Sequence, residues 1–186
     1  LGGKNPAIVL PGADLTVTAR RLVWGKGFNA GQACIAPDHL LVQSDMREPL
    51  LQAIGEERLK LYGSDPLESE SLGSLIHDRH YSRLVALLKQ AESDGRVLLG
   101  GEFDPLRRRI APTLISVQDE QDPLMADGLF GPLLPVLEIE NLDELRELVN
   151  LDLSANAIRT INNVPRRISL TRSLENRRKA RVERSC

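Results

Sequence analysis

The chain has 186 residues, of which 41% are hydrophobic and 27% charged, and its formal net charge at pH 7 is −2. A single domain of this length buries roughly 70% of its unfolded surface, so neither disulfides nor a metal is required for its stability. The small net charge excludes a general electrostatic attraction to nucleic acids or membranes, and the composition is typical of a globular protein.

The first elements predicted are a strand and a helix. Residues 7–10 form an apolar run that ends at a Pro-Gly pair, which is the pattern of a buried strand followed by a turn. Asp14 can cap a helix that continues to about Gly27, because apolar residues recur at helical spacing over this segment. The small residues of 29–36 interrupt that pattern, so we expect the helix to end before them.

The next segments continue the alternation of strand and helix. Residues 39–43 predict a second strand, and residues 45–61 predict a helix. The apolar residues expected to face the core from this helix are Leu50, Leu51, Ile54 and Leu59. A polar loop over 63–71 then leads to a helix over about 78–93.

Further strands are predicted at 97–99, 110–117 and 134–139, and an amphipathic helix at 142–150 with Asn141 as its cap. Strands that alternate with helical crossovers are typical of parallel sheets. We therefore predict an α/β fold with a mostly parallel sheet flanked by helices.

Residues 151–186 differ in composition from the rest of the chain. They contain nine Lys or Arg and three acidic residues, a net charge of +6 that leaves −8 for residues 1–150. No apolar periodicity follows residue 153, so this basic tail is predicted to be disordered or to form a weak helix near 173–183. The predicted organisation is one domain over 1–150 and a basic, low-periodicity tail over 151–186.

The chain has two cysteines, Cys34 and Cys186. Two distant cysteines do not make a disulfide framework, and they indicate unpaired thiols in a reducing compartment, with the cytoplasm as the default. No apolar run approaches the ~20 residues that span a bilayer, and residues 1–6 have none of the parts of a signal peptide. The absence of an initiator Met indicates a piece of a longer protein.

Cys34 lies in a run of small residues, Asn29-Ala-Gly-Gln-Ala-Cys-Ile-Ala-Pro37, and two interpretations are open. A nucleophile needs surroundings that favour the thiolate, because a free thiol with a pKa of ~8.5 is only a few per cent ionised at neutral pH. Small neighbours leave room for a substrate, and backbone N–H groups could stabilise an oxyanion. In the other interpretation Cys34 is a small, buried residue that fills space in the core, which requires no thiolate. Spacing alone favours that interpretation.

Residues 25–30 formally match the G-x-G-x-x-A pattern of dinucleotide-binding proteins. That motif requires a strand before it and a helix after it, because the phosphates bind at the start of the helix. Here the preceding residues have a helical pattern and Pro37 follows shortly afterwards. The context therefore favours a coincidental match.

The histidine pair and the two basic runs each have a functional and a non-functional interpretation. His77 and His80 could contribute to a zinc site, but residues at the exposed start of a helix, with Asp78 as its cap, are the favoured interpretation. The basic runs 107–109 and 177–181 could contact phosphates. With only 3% aromatic residues there is little for nucleic-acid bases to stack on, so solvated charge is the favoured interpretation.

Three stretches together resemble the aldehyde dehydrogenase superfamily. Leu1-Gly-Gly-Lys-Asn-Pro6 is similar to the end of its Glu-Leu-Gly-Gly-Lys motif, Asn29-Ala-Gly-Gln-Ala-Cys34 to the loop with its catalytic cysteine, and Leu129-Phe-Gly-Pro132 to the motif that meets the nicotinamide ribose. Ala36-Pro-Asp38 is similar to the branch of the class 3 and fatty aldehyde dehydrogenases. The order and spacing agree with the family over about residues 1–150.

The resemblance implies an aldehyde dehydrogenase catalytic domain that oxidises a small-molecule aldehyde to a carboxylic acid with NAD or NADP. In such an enzyme Cys34 attacks the aldehyde, the thiohemiacetal loses a hydride, and the remaining thioester is hydrolysed with a glutamate as base. The resemblance also implies that Leu1 and Phe130 lie at the nicotinamide, and that a complete parent protein is a homodimer. No nucleic acid, membrane span or metal is expected.

The chain also departs from the family pattern. The family's glutamate base would lie one residue before Leu1, and its ribose-binding glutamate falls on Gly128. The cofactor domain, which in the family precedes these motifs, has no counterpart in the chain. The alternative function is therefore an inactive fragment or remnant that keeps the fold and acts as a binding or structural module.

Overall fold

The computed structural model describes residues 4–145, 148 and 159–160. The strands are β1 (Pro6–Val9), β2 (His39–Gln43), β3 (Val97–Leu99), β4 (Phe103–Asp104), β5 (Arg109–Ile110), β6 (Thr113–Val117), β7 (Leu133–Ile139) and β8 (Arg159–Thr160). The helices are α1 (Leu15–Gly27), α2 (Ser44–Tyr62), α3 (Asp78–Ser93) and α4 (Pro123–Ala126), and residues 142–145 are helical as well. Short 3-10 helices lie at Phe28–Gly31 and Pro66–Glu68.

Within the described residues, six strands form one sheet in the order β3-β6-β7-β2-β1-β8. Neighbouring strands from β6 to β8 in this order are parallel, and the edge strand β3 runs antiparallel to β6. The predicted α/β fold with a mostly parallel sheet is therefore confirmed. β4 and β5 pair with each other in a separate antiparallel hairpin, which the sequence did not predict.

Side chains of the central strands alternate between the two faces of the sheet, and each face packs against its own helices. In β2, Leu40 and Val42 face the layer of α1 and α2, whereas Leu41 faces the layer of α3. The sheet is thus the middle of three layers. The buried helix residues include Ala19, Leu22, Leu50 and Ile54 on the first face and Leu84, Val85 and Leu88 on the second.

Two of the three predicted helix caps, Asp14 and Asn141, are confirmed. Asp14 Oδ1 accepts a hydrogen bond from the Val17 N–H at 3.0 Å at the start of α1. Asn141 Oδ1 accepts from the N–H groups of Asp143 and Glu144, each at 3.0 Å. Such bonds satisfy backbone donors that have no partner within the helix.

Three predictions about single residues or strands are wrong. Leu59 does not face the core and is 58% exposed. The N-cap of α3 is His77, so Asp78 lies in the first turn, where a negative charge is still favourable. The predicted strand over 110–117 is divided between β5 and β6, because Pro112 lies between them and cannot donate a ladder hydrogen bond.

The predicted basic tail, residues 151–186, lies outside the described residues except for β8. β8 pairs in parallel with β1, with Ala7 opposite Arg159, and the sequence did not predict a strand there. None of the helices in the described part of the chain is long and apolar enough to cross a membrane.

Leu50 and Leu59 provide a test of the α2 packing, because nine positions place them on opposite sides of the helix, about 180° apart. Leu50 is 0% exposed. We expect Leu50→Ala to lower the free energy of unfolding by about 2 to 5 kcal/mol through a cavity, and Leu59→Ala to change it by about 0.5 kcal/mol or less. Urea denaturation followed by circular dichroism measures both. Equal losses would contradict the orientation of α2.

Candidate active site

Cys34 lies at the corner of a tight turn that precedes β2. The turn spans residues 33–36 and is closed by the Ala36 N–H, which donates to the Ala33 carbonyl oxygen at 3.1 Å. Cys34 and Ile35 are its two central residues, and Cys34 is exposed. The interpretation of Cys34 as a buried filler is therefore wrong, and its thiol is accessible to small molecules.

The chain reaches this turn through a left-handed run that ends α1. Asn29, Ala30 and Gly31 have φ angles of 50°, 53° and 75°, a conformation that costs a non-glycine residue about 1–2 kcal/mol. Ala30 is held there by the core, in which it is 1% exposed. Asn29 is held by its side chain, since Nδ2 donates to the Gln32 carbonyl oxygen at 3.2 Å. Tertiary contacts therefore maintain the break between α1 and the cysteine turn.

Gln32 attaches the start of the cysteine turn to a second loop. Its side-chain amide nitrogen donates to the carbonyl oxygens of Asn29 and Ser74, each at 3.1 Å. Its side-chain oxygen accepts from the Ile76 N–H, also at 3.1 Å. One side chain thus joins the end of the left-handed run to the loop that precedes α3.

The segment 128–132, which we call the Phe130 segment, touches the left-handed run directly. A Cβ at Gly31 would lie 2.2 Å from the Gly131 carbonyl oxygen, so the two backbones meet where only glycine fits. Phe130 itself is half-buried and has a φ of 48°. The structure therefore brings together the two segments that carry the predicted site residues Cys34 and Phe130.

Three side chains hold the backbone of the Phe130 segment. His80 Nε2–H donates to the Phe130 carbonyl oxygen at 2.7 Å. Arg83 donates to the Leu129 carbonyl oxygen at 2.8 Å and to that of the preceding residue at 3.2 Å. Asp38 Oδ1 accepts from the Leu129 N–H at 2.8 Å. Hydrogen bonds from α3 and from the residue before β2 therefore hold the backbone of Phe130 in its left-handed conformation.

Three buried ionisable side chains lie beside the cysteine turn, namely Lys26, Asp38 and His39. Lys26 is 3% exposed, and its Nζ donates to the Pro37 carbonyl oxygen at 2.9 Å. Burial lowers the pKa of Lys26 to about 8, and the Asp38 carboxylate opposes this fall. Burial also lowers the pKa of His39 to about 4, and two nearby lysines add to the effect. Lys26 and Asp38 thus connect α1 with the turn and with the Phe130 segment.

An apolar surface lies beside the turn. Trp24, Phe28 and Ile35 are 61%, 52% and 58% exposed, and the centroids of the Trp24 and Phe28 rings are 5.7 Å apart. Together with residues 5–7 and Pro37 they line one open groove. Contiguous exposed apolar residues are typical of ligand or interaction sites, so this groove is a candidate site for an apolar ligand.

The structure tests two other predictions, the one from the glycine pattern and the one from the histidine pair. Residues 25–30 lie at the end of α1 and in the 3-10 helix after it, so no strand precedes them and they do not form a dinucleotide-binding turn. His77 is exposed, as predicted for the start of α3, but His80 is half-buried on the Phe130 carbonyl. The interpretation of His80 as a surface residue is therefore wrong. Among the described residues, no group of three or more His, Cys, Asp or Glu could hold a metal ion.

Some predicted contacts lie beyond the described part of the chain. Leu1 and the basic run 177–181 both fall outside it. Of the other basic run, Arg107 forms ion pairs with Glu68 and Asp104, which occupy its guanidinium within the protein.

The sequence did not reveal the side chains that join the segments of the site, namely Asn5, Lys26, Asp38, His80 and Arg83. Asn5 and Asp38 lie in stretches that resemble the family, and that resemblance is the only signal that the sequence carries for them. The reason is distance along the chain, since Asp38 and its partner Leu129 are 91 residues apart. No local periodicity encodes a bond of that kind.

The family model described as the aldehyde dehydrogenase family matches residues 1–158. The human protein called aldehyde dehydrogenase family 3 member B1 is 42% identical over 150 residues, which are 81% of this chain and 31% of that protein. An aldehyde dehydrogenase family 3 protein of Dictyostelium discoideum, comG, is 44% identical over 149 residues, with 80% and 31% of the two chains covered.

Solved structures of aldehyde dehydrogenases also match this chain. The substrate-bound state of Staphylococcus aureus AldH matches with a TM-score of 0.78 and 34% identity over 81% of this chain and 32% of that chain. A glyceraldehyde-3-phosphate dehydrogenase, GapN, from Methanocaldococcus jannaschii in complex with NADP matches with a TM-score of 0.70 and 26% identity, covering 94% and 37%. The chain therefore spans about a third of the length of these relatives.

The lowered pKa of Lys26 predicts a specific pH dependence of stability. Between the folded pKa of about 8 and the unfolded value of 10.5, the unfolded chain binds more protons, so stability rises with pH. We expect the free energy of unfolding to rise by about 2 kcal/mol from pH 8 to 10 relative to Lys26→Met. Lys60→Met removes an exposed ammonium and is the matched control. Parallel pH profiles for the chain and for Lys26→Met, measured by urea denaturation, would contradict the prediction.

Proposed function

Because the chain belongs to the aldehyde dehydrogenase family, we propose that it supplies the catalytic cysteine of an enzyme that oxidises an aldehyde to a carboxylic acid with NAD or NADP. The observation that carries this proposal is the position of Cys34. It is exposed at the corner of a turn, and the run before that turn touches the Phe130 segment through Gly31. A thiol in this position is open to substrate on a rigid support.

In the proposed reaction the Cys34 thiolate adds to the carbonyl carbon of the aldehyde, and the carbonyl oxygen takes the negative charge and then a proton. The Cys34 N–H has no acceptor among the described residues, so it is available to stabilise that oxygen. Loss of a hydride from the thiohemiacetal, which bound NAD or NADP would accept, and of its hydroxyl proton to water leaves a thioester on Sγ. Water then releases the carboxylic acid and restores the thiol.

The described residues fit the nicotinamide end of such a cofactor. Phe130 is half-exposed, and a Cβ at Gly128 would meet nothing closer than Phe130 Cδ2 at 3.8 Å, so the space beside the ring is open. Phe130 would hold the nicotinamide, but Gly128 offers no carboxylate to the ribose. Residues 25–30, which match the phosphate-binding pattern in sequence, belong to α1 and the 3-10 helix after it and do not form such a turn.

The apolar groove supports an aldehyde with an apolar substituent. Trp24, Phe28 and Ile35 lie within reach of the same turn as Cys34, with Ile35 adjacent to it in the chain. An aldehyde whose carbonyl carbon is at Sγ could extend its apolar part over these side chains and bury them from water.

A second candidate function is an inactive fragment that keeps the fold and acts as a binding or structural module. Two observations favour it. The chain spans about a third of the length of its relatives, and Gly128 occupies the position where the family pattern has its ribose-binding glutamate. In this alternative the groove beside Cys34 binds a partner or ligand, and no turnover follows.

Turnover by the 186-residue chain, together with the reactivity of its Cys34 thiol, tests the two functions. With hexanal and NAD or NADP, we expect no formation of reduced cofactor, because the residues proposed to contact the cofactor lie at its nicotinamide end only. Absorbance at the wavelength of the reduced nicotinamide measures this. Turnover that Cys34→Ala abolishes and Cys186→Ser preserves would rule out the inactive fragment. Alkylation of Cys34 by iodoacetamide no faster than that of Cys186 would count against Cys34 as the nucleophile.

Gly128→Glu tests the predicted position of the ribose contact. The space at Gly128 accepts a side chain, and a hydrogen bond to a charged group contributes about 1.5 kcal/mol or more. We therefore expect Gly128→Glu to tighten NAD binding about tenfold in a saturation-transfer NMR titration. Gly128→Gln has the same size without the charge and should give a smaller gain. No gain from either variant would show that residue 128 does not face the cofactor.

A further inference from the structure

The side chain of Asn5 bridges two carbonyl groups of the cysteine turn. Its Nδ2 donates to the Cys34 carbonyl oxygen at 2.7 Å and to the Ala36 carbonyl oxygen at 3.2 Å. Both partners are carbonyl oxygens, which can only accept, so the nitrogen and not the oxygen of the amide faces them. The two hydrogens of one NH₂ group are thereby used on a single turn.

Asn5 is itself fixed by the sheet. It immediately precedes β1, and its carbonyl oxygen accepts from the Asp38 N–H at 2.9 Å. This bond continues the parallel ladder, in which Pro6 lies opposite His39. The amide that holds the turn therefore projects from a rigid strand end and not from a mobile loop.

The Cys34 carbonyl is the group that decides the conformation of the turn. In a four-residue turn the peptide between the two central residues can flip by about 180°, which interconverts type I and type II. Here that peptide joins Cys34 to Ile35. A hydrogen bond to the Cys34 oxygen selects one of the two orientations, and in a planar trans peptide the Ile35 N–H then points away from Asn5.

We propose that Asn5 is a positioning residue for Cys34, because its side-chain amide locks the Cys34–Ile35 peptide in one orientation. The lock keeps the carbonyl oxygens of Cys34 and Ala36 turned towards Asn5. In the locked orientation the Ile35 N–H points away from Asn5 and adds a second donor to the Cys34 N–H for the oxygen of the reacting carbonyl. A flipped peptide would put the Cys34 oxygen in place of that donor, and this oxygen would repel an oxyanion. This inference rests on the proposed role of Cys34 as the nucleophile.

The chemical step that reports on this role is addition of the thiol to an aldehyde. A bond forms between Sγ and the carbonyl carbon, the π electrons of the carbonyl move to its oxygen, and the thiol proton ends on that oxygen. The step needs no oxidant and is reversible, so an aldehyde protects Cys34 from alkylation. The concentration that protects half of Cys34 measures how well the turn supports the tetrahedral adduct.

The experiment compares the chain with Asn5→Ala and Asn5→Asp, using benzaldehyde as the probe and iodoacetamide as the reagent. Asn5→Ala removes the donor, and Asn5→Asp keeps the shape but replaces the donor with an acceptor. We expect half-protection to require about tenfold more benzaldehyde in Asn5→Ala, which corresponds to the loss of about one hydrogen bond, and still more in Asn5→Asp. Asn141→Ala removes the side-chain amide of an exposed helix cap far along the chain and serves as the matched control, with half-protection unchanged.

A second measurement follows the peptide itself. We expect ¹⁵N relaxation dispersion at the Ile35 amide to show exchange in both Asn5 variants and none in the unsubstituted chain. A residue that only stabilises the fold would shift the unfolding midpoint without producing that exchange. Unchanged half-protection and a static Ile35 amide in both variants would overturn the positioning role. If benzaldehyde fails to protect Cys34 even in the unsubstituted chain, the proposed nucleophile is wrong, and the dispersion measurement still tests the lock.

Discussion

The backbone contact between Gly31 and Gly131 is the constraint on which the geometry of the site depends. A Cβ at Gly31 would lie 2.2 Å from the Gly131 carbonyl oxygen, and a Cβ at Gly131 would lie 2.2 Å from Leu84 Cδ1. Leu84 belongs to α3 and is 0% exposed. The left-handed run before the cysteine turn, the Phe130 segment and α3 are therefore stacked with no spare volume, and close packing of the core sets their relative positions.

Local patterns were sufficient for most of the fold. Residues 39–43 and 97–99 are strands as predicted, and α3 covers the predicted range 78–93, because apolar periodicity and neighbouring turn residues both act over short distances. The apolar character of Leu59 predicts a core position, but its angle around α2, about 180° from Leu50, places it on the exposed side of the helix. The hairpin of β4 and β5 has strands of only two residues, which are too short to show any period.

The site was less predictable than the fold, for a physical reason. Spacing favoured Cys34 as a filler, yet its exposure follows from a turn whose partners come from elsewhere in the chain. Asn5 and Cys34 are 29 residues apart, and His80 and Phe130 are 50 apart. A backbone carbonyl that accepts a hydrogen bond from a distant side chain is not indicated by any pattern in the residues around it. The resemblance of three separated motifs supplied what local patterns could not.

Trp24 has a consequence for optical work on this protein. It is the single tryptophan of the chain, and it is 61% exposed at the groove beside the cysteine turn, against the ring of Phe28. Its indole is already largely in water, so loss of the core changes its surroundings little, whereas an occupant of the groove removes that water. The chain thus carries a built-in fluorophore whose emission reports occupancy of the groove and not the integrity of the sheet.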